Sequence, residues 1–126
     1  MKKYLFCILL IVLLPVIFCE AKSVIVFEET SYNFGKVNKE AVLKHTFIFK
    51  NTGKDTLVIE RVRASCSCTG TLLSEREIPS GESGKLEIEL NTETNLGEMM
   101  RTIRVYTNDP NNKLIKIVVK ATVIEN

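Results

Sequence analysis

A chain of 126 residues with 17 Lys and Arg against 15 Asp and Glu, one His and no Trp has room for one small domain with a single core. Its formal net charge of +2, with both signs interspersed, gives no long-range field for nucleic acid or anionic membranes, and no nucleic-acid partner is expected. A domain of this size builds its core without needing several disulfides.

The first element in chain order is an export signal. Lys2 and Lys3 make a basic start, Tyr4 to Phe18 is an apolar run apart from Pro15, and Cys19, Glu20 and Ala21 bring smaller residues before the charge pattern changes. The run is shorter than the roughly 20 residues of a membrane-spanning helix. No later segment comes close, so no membrane span is expected in the mature chain. Cleavage after Ala21 divides the chain into a signal peptide, 1–21, and a mature domain, 22–126. The alternative is a lipoprotein signal in which Cys19 becomes the lipidated first residue, although bulky Phe18 stands where a small residue is the norm. Loss of Lys2, Lys3 and Glu20 leaves 15 basic and 14 acidic residues of the original 17 and 15, a nearly neutral domain. Cys7 leaves with the signal, and Cys19 leaves too unless it is lipidated. Cys66 and Cys68 are then the only pair, facing an oxidising compartment.

From there the chain alternates with a period of two, the signature of strands. Val24 to Phe27 is a first apolar strand, followed by Tyr32 and Phe34 before Gly35. From Val42 to Lys50, Leu43, His45, Phe47 and Phe49 share one face, and Lys44, Thr46 and Lys50 the other. Asn51 to Asp55 is a turn cluster. Thr56 to Ala64 reads as a strand with Leu57 and Ile59 on one face and Val58 and Val62 on the other. After a turn at Pro79 to Gly84, Leu86, Ile88 and Leu90 alternate with Lys85, Glu87, Glu89 and Asn91. Met100 to Thr107 follows, with Ile103 and Val105 inward. Asn108 to Asn112 reverses the chain around Pro110. Leu114 to Ile124 closes it, with Ile115, Ile117, Val119, Ala121 and Val123 on one face. The fold class is all-β: about seven strands in an immunoglobulin-like antiparallel β-sandwich. Without Trp or a widely separated Cys pair, an antibody-type disulfide between sheets is excluded.

Reactive chemistry concentrates at Cys66-Ser67-Cys68. In a regular strand the two cysteines lie on one face about 6.6 Å apart, whereas a disulfide wants β-carbons near about 3.8 Å. A bond therefore needs a local turn, which small Ser65, Ser67, Thr69 and Gly70 permit. The closed loop is tiny and stabilises little. Three readings stay open: a simple disulfide or packing pair, a redox-active pair, or a soft-metal site for an ion such as Cu(I). Met99, Met100 and His45 are conceivable further copper ligands. Two ligands fall short of a tetrahedral zinc site, and the leading expectation is no metal and no cofactor.

His45, sharing a face with Leu43, Phe47 and Phe49, reads as a hydrogen-bonded core or boundary residue. No second His or placed acid completes a Cys-His arrangement. Glu75 and Glu77 lie near a turn, and Glu87 and Glu89 on a wet face, as solvated carboxylates. Gly81 and Gly84 precede no helix, so they form no phosphate loop, and Ser67 is not in a nucleophile elbow. No catalytic residue is assigned, and the protein is not expected to be an enzyme.

Phe34-Gly35-Lys36-Val37, then His45 to Gly53, Ala64 to Thr69, Pro79-Ser80-Gly81-Glu82 and Thr107-Asn108-Asp109 occur in an order and spacing that resembles the bacterial "domain of unknown function 1573" family. The resemblance runs from about Val24 to Glu125, with Ser67 standing where the family often has Gly. It implies an exported immunoglobulin-like domain of the kind common in Bacteroidetes, related in shape to domains shared by ASPM, SPD-2 and hydin. The expected place is the periplasm, outer membrane or cell surface of a Gram-negative bacterium. The expected function is a non-catalytic envelope module that binds or supports an unidentified envelope protein through sheet edges and loops. The alternative is a periplasmic copper-binding or thiol-redox protein using Cys66 and Cys68. No residue pattern sets the oligomeric state.

Overall fold

Alternating strands must cover their apolar faces, and here they do so against each other. The structure, a computed structural model, describes residues 22–93 and 96–125; the export signal and Cys19 lie outside the described residues. Nine strands follow in order: β1 (Ile25–Phe27), β2 (Ser31–Asn38), β3 (Val42–Asn51), β4 (Leu57–Ala64), β5 (Thr69–Leu73), β6 (Glu77–Ile78), β7 (Ser83–Asn91), β8 (Gly97–Thr107) and β9 (Leu114–Ile124). They form two sheets, β1-β3-β7-β5 and β2-β9-β8-β4-β6. Phe47, Phe49, Leu86, Ile88 and Leu90 from the first meet Leu57, Ile103, Val105, Ile117 and Val119 from the second in one core, all essentially without exposed surface. No helix long and apolar enough to cross a membrane occurs among the described residues.

Three expectations need correction. The described residues form nine strands instead of about seven, the additions being β5 and β6: Thr69-Gly70-Thr71-Leu72-Leu73 has no period-two alternation, and β6 is two residues long. The sandwich is not wholly antiparallel, since β2 pairs with β9 in parallel. The entering chain pairs first with β3, then leaves the first sheet after Phe27 and joins the second alongside the last strand. Within β2 the register shifts between Asn33 and Lys36, where Gly35 takes a φ of 73° and its N–H bonds the Asn33 side-chain oxygen at 2.8 Å. A bulge of this kind needs a residue free to adopt a positive φ. The third correction concerns Val62. A register shift between Ile59 and Arg61 inverts the phase of β4, so Val62 packs against the core on the same side as Leu57 and Ile59.

One end of the sandwich is closed by polar side chains that the turns deliver inward. Asn51 accepts from the Val24 and Gly53 N–H groups at 3.2 and 3.0 Å and donates to the Asp55 and Ile78 carbonyls at 2.7 and 2.9 Å. Asn108 accepts from Ser23 Oγ and from Val58 N–H, both at 2.9 Å, and donates to the Thr56 carbonyl at 3.1 Å. Asp109 accepts from Ile25 N–H at 3.0 Å, Asn111 N–H at 2.9 Å and Asn112 Nδ2 at 3.1 Å. A side chain at position 53 is impossible here, because a Cβ would lie 2.1 Å from the Lys22 carbonyl oxygen.

Burial pushes the Asp109 carboxyl pKa up, but the bonds from Ile25, Asn111 and Asn112 outweigh it and hold the group below its ordinary value. A depressed folded pKa contributes stability that is present above the unfolded value of about 3.9 and is lost as pH falls through the folded pKa. Asp109→Ala is expected to cost about 3 kcal/mol at neutral pH by leaving buried donors unpaired. Urea denaturation followed downward from neutral pH should then show a shallower acid loss in the variant than in the native chain.

Candidate functional site

Along one side of the sandwich the chain crosses between the sheets three times in succession, from β4 to β5, back to β6 and over again to β7. The first crossing, Ser65 to Cys68, is a tight turn. Thr69 N–H bonds the Cys66 carbonyl at 3.1 Å, and Ser65 is tied to Thr102 both ways, through its own N–H at 2.9 Å and its hydroxyl oxygen at 3.1 Å. Cys66 and Cys68 are joined as a disulfide with their Cα atoms 5.2 Å apart, closer than a regular strand allows. The turn needs no left-handed residue at Ser67, which has no positive φ, so a serine is accommodated there without strain. Cys66 and Cys68 are both half-buried, and Cys68 packs against the core.

Arg101 reaches the pair from β8, its Nε–H donating to Cys68 Sγ at 3.4 Å and its Nη1 to the Met100 carbonyl at 2.9 Å. Sequence reasoning missed this residue. The signal was available, because Met99, Ile103 and Val105 set the inward phase of β8 and Arg101 falls on it. A cation at an inward position calls for a partner.

Below the crossing, β5 forms an uncovered edge of the first sheet. Asn91 N–H bonds the Cys68 carbonyl and Ser74 N–H the Lys85 carbonyl, so in an antiparallel ladder the even positions of β5 face β7. Thr71 and Leu73 therefore turn their backbone N–H and C=O groups outward. Across the seam the edge of β4 is covered by β6 only at Leu57 and Val58. Between the two edges lies a groove of about 230 Å³ lined by Ile59, Val62, Thr71, Leu73 and the cationic Arg61 and Arg76.

The other residues singled out in the sequence are dispersed. His45 lies near the β1 and β2 side, stacked on Tyr32 with ring centroids 3.6 Å apart, edge-on to Phe47 and hydrogen-bonded to the Glu29 carboxylate. Met99 is buried in the core, while Met100 is 59% exposed on the opposite face of β8. Glu75 and Glu77 are exposed, and Glu89 pairs with Lys44 at 3.8 Å. No group of three or more His, Cys, Asp or Glu side chains placed to hold a metal occurs among the described residues.

Two facing sheets with a switched first strand and an open seam define an immunoglobulin-like β-sandwich domain. The chain belongs to the family described as "Protein of unknown function (DUF1573)", whose family model matches residues 25–123. Among solved structures it is similar to a protein of unknown function from Porphyromonas gingivalis W83, with a TM-score of 0.74 and 22% identity over 81% of this chain and 48% of that one. It is also similar to an ASH/PapD-like domain of human CEP192, at TM-score 0.67 and 9% identity over 90% of this chain and 94% of the domain. A third likeness is to the Vibrio cholerae VesB protease, at TM-score 0.66 and 11% identity over 78% of this chain. The chain spans 48% of the Porphyromonas protein and 31% of VesB. These likenesses show the fold. A comparison with curated proteins finds no match.

The disulfide closes a loop of sequence separation 2, for which chain-entropy arguments give about 1.5 kcal/mol, against about 3 for a loop of about fifteen residues. Replacing both Cys66 and Cys68 with Ser is expected to lower stability by no more than that in urea denaturation. Amide exchange should show β5 still paired to β7.

Proposed function

We propose that this protein is a non-catalytic, exported module of the cell envelope that binds an extended segment of another protein by strand addition at β5. The observation that supports it most is the unguarded edge. Folded β proteins blunt their edge strands with charges, prolines, bulges or brevity. Here β1 is three residues long, β6 is two, and β2 carries a bulge and Lys36, whereas β5 has five residues with no charge and no proline. Leu72 within it is 66% exposed. An incoming strand would pair with Thr71 and Leu73 and place alternate side chains in the groove against Ile59 and Val62. Export rests on Lys2, Lys3 and the apolar run to Phe18. It leads to the periplasm or outer surface of a Gram-negative cell, either free after cleavage at Ala21 or lipid-tethered at Cys19.

Thr71→Pro removes an outward N–H without touching the bonds to β7, a placement that edge strands tolerate. In a mixture with envelope extract, amide exchange of the native protein should show new protection at Thr71 and Leu73. The proline variant should keep its fold by circular dichroism and lose that protection. Retained protection in the variant, or protection confined to another surface, would rule out strand addition at β5.

A second reading, thiol exchange at the disulfide, is favoured by one contact. A guanidinium on Cys68 Sγ stabilises that sulfur as a departing thiolate, so an external thiolate would attack Cys66 Sγ, break the S–S bond and leave a mixed disulfide at Cys66. Only the reduced form would offer two thiolates to a soft ion such as Cu(I). Arg101→Gln should slow reduction by dithiothreitol about threefold, because the departing sulfur loses the cation beside it. Unchanged kinetics, read by thiol alkylation and mass, would leave the disulfide a passive clip.

A further inference from the structure

Charge that alternates along the sequence is sorted by the second sheet onto one side. Register places Arg63 opposite Arg104 and Arg104 opposite Lys116, a row of three cations across β4, β8 and β9 on the outer face. Arg61 lies in the adjoining row, its guanidinium 4.2 Å from the centroid of the Tyr106 ring. Lys120, paired with Met100 and Asn33, and Lys36, paired with Thr122, extend the same face. The acids near it are Glu98, beside Thr122, and Glu60, at the β4 register shift. Neither pairs with the row, and among the described residues Arg63, Arg104, Lys116 and Lys120 make no ion pair. Like charges directly opposite one another across strands destabilise a sheet, so the fold itself gains nothing from this row. The outer face of the other sheet is different, with Lys44 paired to Glu89 and Lys85 flanked by Glu87.

Apolar side chains are set among the cations. Met100 is 59% and Leu114 41% exposed, and a depression of about 480 Å³ beside the row is lined by Asn33, Glu98, Met100, Lys120 and Thr122. We propose that this face docks on a surface of anionic phospholipid headgroups. Arg63 and Arg104 would take phosphates through paired guanidinium N–H groups, and Met100 and Leu114 would enter the headgroup layer. The row runs across strands whose backbone is already paired, so an extended acidic peptide has no ladder to join there. Its cations occupy a two-dimensional array in the middle of a sheet, the arrangement that meets a planar charged surface. Exposed aliphatic side chains at its margins suit a lipid interface better than a duplex backbone. This inference is independent of strand addition at β5.

The test is co-sedimentation of the mature chain with vesicles of phosphatidylcholine alone and of phosphatidylcholine mixed with phosphatidylglycerol. Binding to the anionic vesicles and not the neutral ones, released by high salt, is expected. Arg63→Glu combined with Arg104→Glu should weaken it at least about tenfold, and so should the separate pair Lys116→Glu and Lys120→Glu. The pair Lys50→Glu and Lys85→Glu on the other sheet should leave binding unchanged, each variant first shown folded by circular dichroism. Equal binding to neutral vesicles, equal loss in the control pair, or tighter retention by duplex DNA or polyglutamate than by anionic vesicles would overturn the proposal.

Discussion

Asp109 carries a charge at a position with no exposed surface, and the bonds that make this tolerable join parts of the chain that are distant in sequence. Its carboxylate takes the Ile25 N–H from β1 and the donors of the β8–β9 turn. Asn108 beside it takes Ser23 and Val58, and Asn51 takes Val24 while donating to Ile78. Through these three side chains the first strand, the turn after β3 and the last hairpin are fastened at one end. A buried polar group left without a partner costs far more than a made bond returns. The network is therefore close to all-or-none, and it selects one arrangement of the loops. The described residues contain no buried side-chain nitrogen or oxygen without a partner, as that logic requires.

Fastening one end leaves the seam free to be used. The chain crosses between sheets three times along that side, so neither sheet there is extended by a long covering strand. β5 is left as an edge, and the disulfided turn at Cys66 and Cys68 sits at its start, where β4 hands over to β5. The small loop contributes little to global stability, but it shapes the entry to the groove and brings Cys68 Sγ under Arg101. The open edge and the only described cysteines are neighbours because both depend on that one crossing.

Whole-chain charge and local charge part company in this protein. A nearly neutral composition gives no long-range field around the molecule. It says nothing about where the cations gather once strands are side by side. Arg63, Arg104 and Lys116 are far apart in the chain and adjacent in the sheet, while the acids that balance them lie mostly on loops and on the other sheet. The resulting face is charged on the scale of a contact, within the screening length of ordinary salt.

Side-chain direction in a strand is a local property, and the alternation of Leu86, Ile88 and Leu90 or of Ile115 to Val123 was enough to read those strands, their buried faces and the all-β class. The turns at Asn51 to Asp55 and Asn108 to Asn112 were readable for the same reason, since Gly, Asn, Asp and Pro set backbone angles residue by residue. Family membership followed from ordered motifs that include Asn51, Asn108 and Asp109, although their work as fasteners could not be seen from their types. Pairing is not local. Whether β2 would lie parallel to β9, whether a shift in β4 would turn Val62 inward, and which strand would be left at an edge depend on partners many residues away. Arg101 shows the boundary between the two: its inward phase could be read from β8 alone, but its contact with Cys68 exists only because β4, β5 and β8 meet at one corner of the sandwich.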